Sequence, residues 1–181
     1  MPLLLAALAG FAFGVLDQYL GSLVTLGPWT SAVSGLSAPW LVLPFLAGWT
    51  QPRARRAMAL GAATVGAALL GYFLMTVSPF EGVPASRFAT SFAAMARANA
   101  VWIVGGVMTA PLYGLLGRQW RVGRSWLSAA LVAGCVCLEP TARLAAGRLP
   151  PSAAVGAAEV AVGLCMAAYF VASGRRRRTL P

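Results

Sequence analysis

Asp17, Glu139 and Glu159 stand inside runs of otherwise apolar residues, and Glu81 lies in a connection between two such runs. These are the only acids in the chain. A carboxylate in an apolar setting that lacks a cationic partner can hold a cation or exchange a proton. Two carboxyls converging on a dry chamber can also act as acid and base, protonating an olefin or an epoxide. Neutral polar residues accompany them: Gln18 beside Asp17, and Asn99 and Tyr113 in the fourth apolar run. Two arrangements follow from these residue types. In one, Asp17, Gln18, Asn99, Tyr113, Glu139 and Glu159 line an outward-facing polar pocket for a small ligand. In the other, Arg87, Arg97, Arg143 and Arg148 neutralise the acids in a charge-paired layer. Arg97 and Arg143 are the partners nearest in sequence to the candidate site, and Glu139 and Arg143 are spaced i, i+4 for direct pairing if a helix continues through Pro140.

Other chemistries lack their residues. The chain has no His, so it offers no catalytic triad and no imidazole metal site. No thiol has a base beside it, and no glycine-rich phosphate loop is present, since Gly105 and Gly106 fall inside an apolar run. Neither a metal nor a cofactor is expected. Cys135 and Cys137, two apart on a helix, point away from each other and read with Cys165 as small core residues.

The elements that must position the acids are membrane helices. Of 181 residues, 59% are hydrophobic and 10% charged, against about 25% charged in soluble domains; the mean hydropathy is +0.76. Several stretches of roughly 18–22 residues carry almost no charge, the length a helix needs to cross a bilayer, and they do not alternate as barrel strands do. The expected fold is an all-α, polytopic bundle of six transmembrane helices at about 3–26, 36–50, 57–77, 96–116, 125–142 and 152–173, forming a single domain over 1–174. Residues 175–181 form a basic tail. The first run lacks a basic leader and is rich in glycine, which reads as a retained helix and not a cleaved signal.

Every basic residue is an arginine, 14 in all, giving a net charge of +10. They gather in the turns after helices 2 and 4 and in the tail, so membrane topology accounts for them and nucleic acid does not. The same distribution predicts that both termini are cytoplasmic, in a bacterial plasma membrane. All four acids then fall in the outer half. Small residues mark the expected packing faces: Gly10 and Gly14 in helix 1; Ala59, Ala63, Ala67 and Gly71 in helix 3; Gly156 and Gly163 around Glu159 in helix 6. Pro39 and Pro44 predict a kinked or partly unwound helix 2. Residues 78–94 read as the longest loop. Asn99, Trp102, Gly106, Thr109 and Tyr113 share one face of helix 4, as a hydrogen-bonding seam or a cavity wall.

A further pattern runs through the chain: Gly14 and Gln18; Trp40, Pro44, Phe45 and Gly48; Gly71, Tyr72 and Phe73; Ala110 through Gly114 (Ala-Pro-Leu-Tyr-Gly); Trp120 and Arg121; and Glu139. In these features, over nearly its whole length, the sequence resembles a family of small actinobacterial membrane proteins of unknown function. The resemblance implies six helices and no particular activity. Phe73, where a second tyrosine is expected, and Asp17 depart from the pattern. The size and helix count are also similar to those of the substrate-capture subunits of energy-coupling vitamin transporters, an analogy of fold alone.

Three functional expectations follow. The first is transport-related binding of a small polar or cationic molecule. The second is a carboxylate-dependent membrane enzyme for a lipophilic, isoprenoid-like substrate. The third is an accessory subunit that works by packing. The bilayer is the expected partner in each, with a small-molecule ligand, a membrane partner subunit or a second copy as the others.

Overall fold

The computed structural model describes residues 1–147 and 153–176; Arg148 and the end of the basic tail lie outside the described residues. Eight α-helices and no strand occur among them: α1 (Pro2–Ser22), α2 (Pro28–Ser34), α3 (Ala38–Trp49), α4 (Ala54–Thr76), α5 (Phe88–Ala98), α6 (Ala100–Gly123), α7 (Trp126–Ala145) and α8 (Ala153–Arg176). Five of these (α1, α4, α6, α7 and α8) are long and apolar enough to cross a membrane, and α2 with α3, bent by 45° at the break between them, passes the same test as a pair. The all-α membrane-helix expectation therefore holds among the described residues, with six spans when the bent pair counts as one.

Several boundaries differ from the sequence expectation. Helix 1 stops at Ser22 and continues only as a 3-10 turn, Val24–Leu26. The stretch between the first two expected helices, at 3–26 and 36–50, contains α2, started by Pro28 at its first position, where a missing N–H costs nothing. Residues 78–94 are not all loop, because α5 begins at Phe88. The fourth span begins at Ala100 and runs on to Gly123, so Arg118 and Arg121 lie on helix and not in a turn.

Close backbone approach holds the bundle together. In a bilayer, small residues let helices exchange van der Waals contact without side chains between them. Gly10 and Gly14 lie directly on α4: a Cβ at Gly10 would strike the Thr64 carbonyl, and one at Gly14 the Ala68 carbonyl. Gly71 is pressed against Phe11 in the same crossing. The α4 packing face is not the stripe expected from alanine spacing. Ala59 is exposed, and the buried face runs through Ala57, Gly61, Thr64, Ala68 and Gly71. The α3–α6 crossing is equally tight at Gly48 against Gly114 and at Gly117 against the Phe45 carbonyl. Towards the arginine-rich end, Phe45, Trp120, Val132 and Phe170 join α3, α6, α7 and α8 in an aromatic core. There the Trp120 and Phe170 rings meet edge to face at 4.7 Å.

Candidate functional site

The break between α2 and α3 organises the polar half of the molecule. It falls at Gly35–Ser37, before both prolines of α3. Pro39 sits in the first turn of α3, and Pro44 lies inside a helix that nevertheless continues to Trp49. A broken span exposes carbonyls at the end of one half-helix and N–H groups at the start of the next, and in a bilayer the protein must satisfy both.

Two residues of α7 do so. The Glu139 carboxylate accepts the Ser37 and Ala38 N–H groups, each at 2.5 Å. Arg143 donates to the Gly35 carbonyl at the end of α2. The two side chains are also paired with each other, Nη2 to Oε1 at 2.5 Å and Nε to Oε1 at 2.9 Å. An anion thus meets the N-terminus of α3 and a cation the C-terminal end of α2, matching the partial charges of each half-helix. The opposite end of α3 receives the same treatment from α6, since Arg121 donates to the Trp49 and Thr50 carbonyls. α7 continues through Pro140 to Ala145, which is what lets Glu139 and Arg143 pair.

Glu159 lies beside this clamp. It is 5% exposed, its carboxyl is within hydrogen-bonding reach of the Glu139 carboxyl, and no donor among the described residues reaches either of its oxygens. A carboxyl neighbour supplies a donor only when one of the two carries a proton.

On the cavity side of the break lies an open space of about 460 Å³ between α1, α3, α4 and α6, within the range of small-ligand sites. Its wall includes Asp17, Ser34, Gly35, Ser37, Trp40, Tyr72, Asn99, Trp102 and Thr109. Asp17 is 8% exposed. Its carboxylate accepts the Trp40 indole N–H at 3.3 Å and makes no ion pair among the described residues. Trp40 is held edge-on between Phe13, at 5.3 Å, and Tyr72, at 6.0 Å. The Asn99 amide donates to the Met95 carbonyl at 3.0 Å, at the junction of α5 and α6.

The expected site residues therefore fall into separate groups. Asp17 and Asn99 share the cavity wall. Glu139 and Glu159 meet each other behind the break and do not line the cavity. The Tyr113 hydroxyl lies 2.9 Å from the Cys135 thiol, further along α6. Gln18 is half-buried off the cavity, and Arg97 is exposed on α5 without an ion pair among the described residues. Of the semi-polar stripe on α6, Asn99, Trp102, Gly106 and Thr109 are cavity wall. Trp40 and Tyr72 are also wall residues, outside the set of polar and charged candidates. The signal available was aromatic rings level with Asp17. Glu81, on the connection after α4, accepts the Ser22 hydroxyl at the end of α1.

A family model matches residues 1–181. The chain belongs to a family of unknown function, DUF6518. No curated protein and no solved structure matches it. Membership leaves the activity to be argued from the site.

Proposed function

We propose that this DUF6518 protein binds a small organic cation, a protonated amine or quaternary ammonium, in the cavity beside Asp17, as part of a transport-related role. The observation that carries this reading is the Asp17 carboxylate itself: buried, on the cavity wall, met by one indole N–H and by no cation among the described residues. Holding an uncompensated carboxylate at membrane depth costs roughly 2.5–3.5 kcal/mol, and a bound cation would offset that cost. The aromatic wall suits the same ligand, because indole and phenol faces attract ammonium groups by about 0.5–2 kcal/mol each. An anionic ligand fits poorly. No arginine among the described residues lines the cavity, and the N-terminus of α3 is already occupied by Glu139. With the arginine-rich turns in the cytosol, the cavity opens to the outer side. The carboxyl pair needed by a lipophilic-substrate enzyme lies outside this cavity, so the enzymatic reading gains no support from its walls.

The test is calorimetric titration of the protein in nanodiscs with tetramethylammonium, a primary ammonium and a neutral isostere. The cations should bind, and the isostere should bind at least about tenfold more weakly, as expected when a charged contact is lost. Asp17→Asn should impose a similar loss on the cations alone. Equal binding of cation and isostere, or unchanged binding by Asp17→Asn, refutes the reading. Uptake into proteoliposomes then separates transport from binding.

A further inference from the structure

We propose that Glu139 and Glu159 form a proton-binding site that fixes or frees the α2–α3 break. The site is built from α7 and α8 and is separate from the Asp17 cavity, so its readout needs no ligand.

The geometry sets the requirement. Both Glu159 oxygens are buried without a donor among the described residues, in a residue only 5% exposed, on the turn of α8 whose Val160 carbonyl lies 3.9 Å from the thiol of Cys137, two residues before Glu139 on α7; the Glu139 carboxyl is their neighbour across this contact. The charged groups around the pair are few. α7 contributes Glu139 and Arg143, and its Cys137 thiol points at the Val160 carbonyl, 3.9 Å away. α2 and α3 carry no titratable side chain, and Tyr113 of α6 is engaged with Cys135. Two ionised carboxylates and one guanidinium would leave a net negative charge buried in an apolar bundle. One shared proton makes the cluster neutral. A carboxylate offers about four acceptor positions. Glu139 Oε2 takes only the Ala38 N–H, which leaves it free to accept the Glu159 O–H while Oε1 serves Ser37 and Arg143.

The same atoms make the site a switch. When the Glu159 O–H bond breaks and its proton passes to water, the attraction between the carboxyls becomes repulsion between two anions. Glu139 must then turn away from the Ser37 and Ala38 N–H groups, or Arg143 must follow Glu159 and leave the Gly35 carbonyl. Either movement releases one end of the break. Gly35 and Ser37 are cavity wall, so the wall loosens as pH rises and tightens as it falls.

Amide hydrogen exchange at Ser37 and Ala38 in nanodiscs, corrected for intrinsic base catalysis, reads the switch directly. In the wild type the corrected rates should rise roughly tenfold or more across the loss of the proton, the factor carried by a charged hydrogen bond. Glu159→Gln keeps a donor to Glu139 but has no proton to lose, so its rates should stay low and flat. An infrared difference spectrum supplies the second readout: a protonated-carboxyl stretch that titrates in the wild type and loses the share of one carboxyl in Glu159→Gln, the Asp17 share remaining. Flat exchange in the wild type overturns the proposal, as does a pH step that survives Glu159→Gln. A wild-type spectrum without a titrating carboxyl band also overturns it, since Glu159 would then be ionised and paired elsewhere.

Discussion

Replacing Glu139 by Ala removes one side chain from α7 and leaves three groups without their acceptor. These are the Ser37 N–H, the Ala38 N–H and the Arg143 guanidinium, the last still holding Gly35. Ala38 is itself buried, so water cannot easily replace the lost carboxylate there. An orphaned buried donor costs about 1–3 kcal/mol, and removing one member of a buried ion pair about 3–5 kcal/mol. The contributions share atoms and do not add. A loss of about 3–5 kcal/mol is therefore expected, a large fraction of the 5–15 kcal/mol typical of folded domains. Glu139→Gln should lose less, because one amide oxygen still accepts, but its NH₂ confronts an N–H donor. Glu159→Gln should be close to neutral, because an amide replaces a protonated carboxyl of the same shape and keeps a donor to Glu139. Reversible unfolding of the three variants in mixed micelles, followed by far-ultraviolet circular dichroism, gives the ranking. If Glu139→Ala is as stable as Glu159→Gln, the carboxylate does not hold the break and the clamp described above is wrong.

Other expectations follow from single contacts. Gly14→Val places a branched side chain on the Ala68 carbonyl of α4 and should cost about 1–3 kcal/mol or more as overpacking. Gly66→Ala, with open space at its Cβ, should be neutral or slightly stabilising in the same thermal-unfolding assay. Arg121→Ala strips the α3 carbonyls of their cationic donor; faster exchange at Gln51, whose N–H caps that end at 3.0 Å from the Gly48 carbonyl, would report the fraying. Trp40→Phe keeps the ring but removes the only N–H on Asp17 among the described residues. Cation binding should survive it with at most a few-fold change, whereas Trp40→Ala should cost roughly tenfold.

The spans were legible because each is a long, nearly uncharged run, and length plus hydropathy is what a bilayer selects. Gly10 and Gly14 were legible as a packing face for the same reason: their spacing puts two gaps on one side of a helix, and α4 fills them. The face of α4 was not legible. In a segment where alanine and glycine recur at many spacings, several stripes look alike, and Ala59 is exposed while Ala57, two residues earlier, is buried. α2 is only seven residues long and depends on the chain around it, so a short apolar stretch with Pro28 and Gly35 read as loop. α5 was hidden in a connection by its Ser, Thr and Arg residues. The i, i+4 spacing of Glu139 and Arg143 announced their pairing. Their grip on a helix end about a hundred residues earlier left no local trace, because it is a property of the fold. The cavity was half visible: Asn99, Trp102, Gly106 and Thr109 shared a helical face, but Asp17 and Trp40 reach it from other spans.

The proposed cation site depends on the buried carboxylate of Asp17. Tetramethylammonium titrated into wild-type and Asp17→Asn protein in matched nanodiscs tests it most directly. Saturable binding to the wild type is expected, with a loss of about tenfold or more in the amide variant. Equal affinity for both proteins, or no saturable binding to the wild type, would contradict it.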